Sequence, residues 1–260
     1  MNEILAHGAY VCARVDDRSA LRGAGAAITA LAKRLGLRHE FEPGDPSIRE
    51  SYALLRRVDA IPRDVADDGV LHADAIVHAV STQAGRIDEV CEALEKLLAP
   101  AARVRTLRGV VRPRIYTGAA MNEFAYAHQV TQQPGPAAPH AFLTPLNKTA
   151  AWWKKGWMER HTYFLPRYDD AGKMVSEGHA LATEAGIAHL YRRTYKALTE
   201  PVEGDQYDFV SYFECADGGV PFFHQVCDAL RDTTRNPEWT FVREGPTWHG
   251  RRVGTWEELF

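Results

Sequence analysis

Apolar positions recur along this chain in two different periods, and the period switches from segment to segment. The run GAYVCARV (8–15) is dense in small and β-branched residues and reads as a strand, whereas 18–37 carries apolar positions at helical spacing and stops at Gly36-Leu37. ADAIVHAVS (73–81) is strand-like again. In the following stretch, 85–98, Ile87, Val90, Leu94 and Leu97 fall three or four residues apart, the signature of an amphipathic helix. A strand over 103–119 is interrupted by Pro113, which lacks an N–H for a ladder and so predicts an edge or a bulge. The second half repeats this order. Two short extended runs flank a turn at Asp169 to Gly172 within 161–176, and a helix is expected through 179–193. A strand over 207–216 follows, then a helix over 220–233 and a last strand over 239–248. A βαββαβ order occurring twice, with no period of about 20–50 residues, predicts two fused α+β sandwiches paired into a barrel-like core, not a solenoid.

Composition narrows the class without naming it. At 260 residues, 45% hydrophobic and 25% charged, the chain has ordinary globular proportions. A net charge of −3 supplies no basic footprint for nucleic acid. No apolar stretch reaches the roughly 18 residues that a membrane helix requires. The first residues lack a basic start followed by an apolar core, so no secretory signal is read and a cytoplasmic protein is expected. Cys12, Cys91, Cys215 and Cys227 are scattered without a CxxC, which predicts reduced, buried thiols. All six tryptophans lie beyond residue 150, while the first half is rich in alanine. The Pro- and Gly-bearing segment 129–145 is read as the connection between halves bounded at 1–140 and 141–260.

Familiar catalytic signatures are absent: there is no GxSxG, no HExxH and no P-loop, and the eleven histidines form no HxH or HxxxH pair. Single-histidine chemistry is what remains, and the informative segment runs from Tyr163 to Gly250. His179 sits in SEGHALATEAGI, Arg192 follows thirteen positions later in LYRRTY, the strand DFVSYFE spans 208–214, and the chain closes through FVREGPTWHG (241–250). With these four elements in order, the sequence resembles the chlorite dismutase family, whose wider superfamily includes coproheme decarboxylases and dye-decolorising peroxidases.

The resemblance implies two tandem ferredoxin-like halves forming a dimeric α+β barrel, with heme b held in the second half and a homo-oligomer, commonly a pentamer. It implies that His179 binds the heme iron, that Arg192 lies over the distal face, and that Ser211 and Phe213, alternate residues of one strand, line that face. A carboxylate would tune the histidine. RNPEWTF leaves Asn236 and Glu238 one short shift apart, and Glu238 is favoured because a ligating imidazole needs an acceptor for its other N–H. Tyr116 and Lys148 are within reach of the cofactor's propionates on this reading. An apolar slot with an arginine suits cleavage of chlorite, or of hydrogen peroxide, because a permanent cation with several donors holds an oxyanion. Coproheme decarboxylation and a non-enzymatic heme carrier or sensor are the alternatives. The tyrosine used by the decarboxylases, six residues before Pro166, is Arg160 here, and YDDAGK lengthens the stretch before His179 by about three residues relative to the family pattern.

Overall fold

The computed structural model describes residues 4–21, 23–40, 50–61, 64–66, 68–112, 138–204 and 206–260. Pro113, Tyr116 and most of the 129–145 segment lie outside them.

The first strand, β1 (Ala6–Val15), shows how the sequence builds the core. Its side chains alternate, so Ala9, Val11 and Ala13 face one layer while Tyr10 and Cys12 face another. It pairs antiparallel with β4 (Ala75–Ser81) on one side and β5 (Ala102–Val111) on the other. β4 pairs with β3 (Ser51–Arg57), a strand that the sequence pattern did not reveal. From β3 the sheet passes to β12 (Trp248–Val253), then to β6 (His140–Lys148), β10 (Phe209–Cys215) and β9 (Tyr191–Lys196). β9 returns to β5 at Lys196 and Val110, which closes the ring. The result is a mixed α/β fold around a closed antiparallel β-barrel, one continuous sheet and not two sheets face to face. A two-residue strand β2 (Arg38–His39) adds to β3, and β11 (Val242–Glu244) adds to β6. A separate hairpin joins β7 (Arg167–Tyr168) to β8 (Met174–Ser176) around the anticipated turn, where the Asp169 carboxylate accepts from the backbone N–H of Ala171 and Lys173.

Helices cover the outside. Helix α1 (Ala24–Leu35) starts later than its apolar pattern suggested, because Gly23 at φ 91° and Gly36 at φ 67° bracket it with left-handed backbone. Helix α2 (Ala84–Leu98) buries Ile87, Val90, Cys91, Leu94 and Leu98 with α1 against β1 and β4. In the second half come α3 (Ala150–Trp153), α4 (Trp157–Thr162) and α5 (Gly178–Ala182), followed by α6 (Val220–Arg231). Helix α6 has its proline in the first turn, where a missing N–H costs nothing. It packs Phe223, Val226 and Leu230 over Phe142 and Phe213.

Two predicted elements are corrected. The helix expected through 179–193 ends at Ala182, passes a 3-10 turn at Glu184–Gly186, and gives way to β9. Tyr191, Thr194 and Tyr195 are strand formers, and Tyr195 is buried inside the barrel, so tertiary packing claims a segment whose local pattern read as helix. The last strand does not span 239–248. Pro237–Phe241 is a 3-10 turn, β11 follows, and Pro246 separates it from β12.

The four cysteines are free and buried. Among the described residues no helix is long and apolar enough to cross a membrane.

Candidate functional site

His179 reaches its position through backbone constraints. Gly178 has φ 66°, and a Cβ there would lie 2.4 Å from the Leu165 carbonyl oxygen, so only glycine lets α5 start this close to the preceding chain. The N–H groups of His179 and Ala180 donate to the carbonyls of Tyr163 and Phe164, each at 3.1 Å, and those of Glu177 and Gly178 donate to that of Arg235. The Phe164 ring covers the imidazole with centroids 5.1 Å apart.

Glu238 comes from the Pro237–Phe241 turn and is almost fully buried. Its Oε2 lies 2.9 Å from His179 Nδ1, and its Oε1 accepts from Lys148 Nζ at 2.5 Å. Asn236 is spent elsewhere, its Nδ2 donating to the Leu230 carbonyl at 3.0 Å. The Lys148 ammonium also lies over the Trp152 ring, 4.3 Å from its centroid. Burial opposes ionisation of Glu238, but Lys148 and His179 outweigh it and hold the carboxyl down to about 2. Burial lowers the His179 pKa, helped by Arg192 and Lys148 and opposed by Glu238. The ring is therefore neutral near pH 7, with its one proton on Nδ1 facing the carboxylate and the Nε2 lone pair directed outward.

Arg192 stands on β9 with NH1 3.3 Å from that lone pair and Nε donating to Thr194 Oγ1 at 3.2 Å. Strand register places Phe213 beside Arg192 and Ser211 beside Thr194, so these four side chains share one face of the barrel. Phe213 meets Phe223 edge-on in the apolar layer beneath α6, at 5.3 Å between centroids, and Ser211 is buried beside it. The candidate residues thus divide: His179, Glu238 and Arg192 touch one another in a line, while Ser211 and Phe213 form the neighbouring wall. Lys148 extends the line through Glu238, and does not stand free to meet a propionate. Its ladder position at the end of β6 was the only signal for this, since sequence distance gives none.

The resulting array reads ammonium, carboxylate, imidazole, guanidinium. A neutral imidazole with its N–H fixed by a buried carboxylate is what iron ligation through Nε2 requires. Among the described residues no group of three or more His, Cys, Asp or Glu side chains converges on a metal position. A lone neutral imidazole is the one donor that a heme iron would take from the chain, so the residues present fit that group. The 3.3 Å contact with Arg192 leaves no room for an iron on Nε2. Ligation therefore requires the guanidinium to swing away on its flexible side chain.

Three comparisons with known proteins bear on this arrangement. No protein-family model matches the chain, and no curated protein matches it. Solved structures do. The chlorite dismutase from Candidatus Nitrospira defluvii in complex with imidazole superimposes with a TM-score of 0.68, covering 97% of this chain and 92% of that one at 17% identity. The fold is that of the chlorite dismutases. An arginine-to-lysine mutant of the same chlorite dismutase gives 0.66 over the same spans, also at 17% identity. The likeness to these chlorite dismutase structures runs through both halves, including the first hundred residues.

Proposed function

We propose that this protein is a heme b-dependent oxidoreductase of the chlorite dismutase type, and the observation that carries the reading is the buried His179–Glu238–Lys148 relay. His179 would hold the iron through Nε2, with Ser211 and Phe213 as the adjoining wall of the slot. A heme bound there would supply an iron for reaction with a small oxygen-rich oxidant, chlorite or hydrogen peroxide. Everything else falls to the chain itself. Glu238 keeps the proton at Nδ1 and fixes the plane of the ring. Lys148 keeps Glu238 ionised in a site that would otherwise favour the neutral acid. Arg192, withdrawn from His179, presents several N–H donors to an oxyanion, and Thr194 steadies its Nε.

Chlorite is the substrate that best matches these parts. Its conversion to chloride and dioxygen balances internally: chlorine gains the four electrons that two oxygens lose, so no external donor is needed. Arg192 favours oxidant cleavage over coproheme decarboxylation, because it brings a fixed positive charge to an incoming anion. The strand orders β5-β1-β4-β3 and β9-β10-β6-β12 support two tandem ferredoxin-like halves, divided near residues 140 and 141, with a homo-oligomer expected for such a chain. The test is oxygen evolution from chlorite by hemin-loaded protein. Wild type should evolve dioxygen, and Arg192→Ala should retain the heme spectrum while losing most of the rate. Equal rates in the two proteins contradict the role given to Arg192. A heme spectrum without turnover on either oxidant favours a carrier or sensor instead.

A further inference from the structure

Two histidines to which the functional reading gives no role meet at the seam between the halves. His140 opens β6 and His249 lies in β12, and both are buried. His140 Nδ1 is 2.9 Å from His249 Nε2, with ring centroids 5.1 Å apart, so the rings approach end to end. Each outer nitrogen faces a carboxylate. His140 Nε2 is 2.9 Å from Asp217 Oδ1, and His249 Nδ1 is 3.2 Å from each oxygen of Asp59.

Hydrogen-bond counting gives this chain of four groups a definite proton content. An ionised carboxylate only accepts, so both outer nitrogens must carry hydrogen. Two neutral imidazoles hold one N–H each and would then present two lone pairs to each other across 2.9 Å. Three contacts need three N–H groups. We propose that the His140–His249 pair is a binding site for one additional proton, shared between Nδ1 of the first ring and Nε2 of the second.

The surroundings support a single positive charge there. Asp217 also pairs with Arg251, whose NH1 is 3.2 Å from the same oxygen. Asp59 also interacts with Arg57, so both carboxylates are met by guanidiniums as well as by the shared proton. Burial holds the His249 pKa below its ordinary value against the pull of Asp59, with His140 and His224 of α6 acting in the same direction as burial. A second extra proton would place two cations in contact and remove the acceptor, so the pair takes one and stops. A metal ion fits less well than a proton. Two imidazole nitrogens about 2.0–2.1 Å from a tetrahedral zinc stand roughly 3.3–3.4 Å apart, and no third ligand converges among the described residues.

The proton acts where the barrel is joined. Asp59 follows β3 in the first half, His140 stands at the boundary where β6 begins, and His249 and Asp217 belong to the second half. The backbone adds a bond at the same place, Val58 N–H to the His249 carbonyl at 3.1 Å. Burial lowers the His249 pKa on folding, so the unfolded chain takes up that proton first and charging the pair costs stability as pH falls.

The experiment is nitrogen-15 NMR of histidine-labelled full chain from pH 8.5 to 5, with His249→Gln beside it, since a carboxamide both donates and accepts without charging. The expected result is one proton taken up with a common midpoint for both rings, while the outer nitrogens stay protonated throughout. His249→Gln should abolish that transition. Two rings titrating independently, each with its own proton, overturn the inference. Stoichiometric binding of zinc chloride by His179→Ala that His249→Gln removes also overturns it, by putting a metal where the proton is placed.

Discussion

The two outer faces of the barrel are built on matching strand orders and finished in opposite ways. On the first half, α1 and α2 lie on Ala9, Val11, Ala13, Val77 and Ala79, a layer of small aliphatic side chains closed with Ile87, Val90 and Leu94. On the second half, aromatic residues under α6 occupy only part of the face. Beside them Lys148, Glu238, His179 and Arg192 form a line of polar groups that burial alone would penalise. One sheet order therefore tolerates either a hydrocarbon seal or a charged array.

The sharpest way to break that contrast is to remove one end of the array. Lys148→Met leaves Glu238 buried without its ammonium, and loss of one partner of a buried pair costs about 3–5 kcal/mol. Urea unfolding should show a shift of that size. A shift near zero would mean that the array is a solvated surface feature. The matching cut on the other face is Leu94→Ala, expected to cost about 2–5 kcal/mol through its cavity, with hemin uptake unchanged.

Acid sharpens the comparison next. Glu238 titrates near 2 when folded, against an ordinary value of 4.5. Its folded pKa is lowered, so the stability it contributes is fully present above about pH 4.5 and disappears as pH falls toward 2. The difference amounts to about 3 kcal/mol. His179 adds loss in the same direction from higher pH, because its folded pKa is also lowered and the unfolded ring takes up its proton first. Glu238→Gln should flatten the acid limb of a stability curve, and an unchanged limb would assign it to other carboxylates. A smaller effect is expected for Arg192→Ala. Removing that cation should raise the His179 pKa, measurable by NMR, and shift stability by less than about 1 kcal/mol.

Legibility in the sequence followed the range of the interactions. Helix α2 was readable because the spacing of Ile87, Val90 and Leu94 records one local face. β9 was not, because Tyr195 belongs to a strand only through its place inside the closed barrel. His179 and Arg192 were singled out by the family resemblance and Glu238 by the need of an imidazole for an acceptor, and the structure brings the three side chains into contact. The Lys148–Glu238 pair spans 90 positions and the His140–His249 pair 109. Pairing of β6 with β12 creates the second, and the turn that leads into β11 beside β6 brings Glu238 to the first, and nothing in the neighbouring letters announces either. β3 escaped notice because Ser51 and the arginines at its end interrupt a short alternation.

The measurement that bears most directly on the central claim is the absorption spectrum of hemin-loaded wild type beside hemin-loaded His179→Ala. The account predicts a sharp Soret band with a histidine-ligated ferric spectrum in wild type, and its loss or replacement by a spectrum like free hemin in the variant. An unchanged band and ligand spectrum in His179→Ala, or a wild type that binds no hemin, would contradict it.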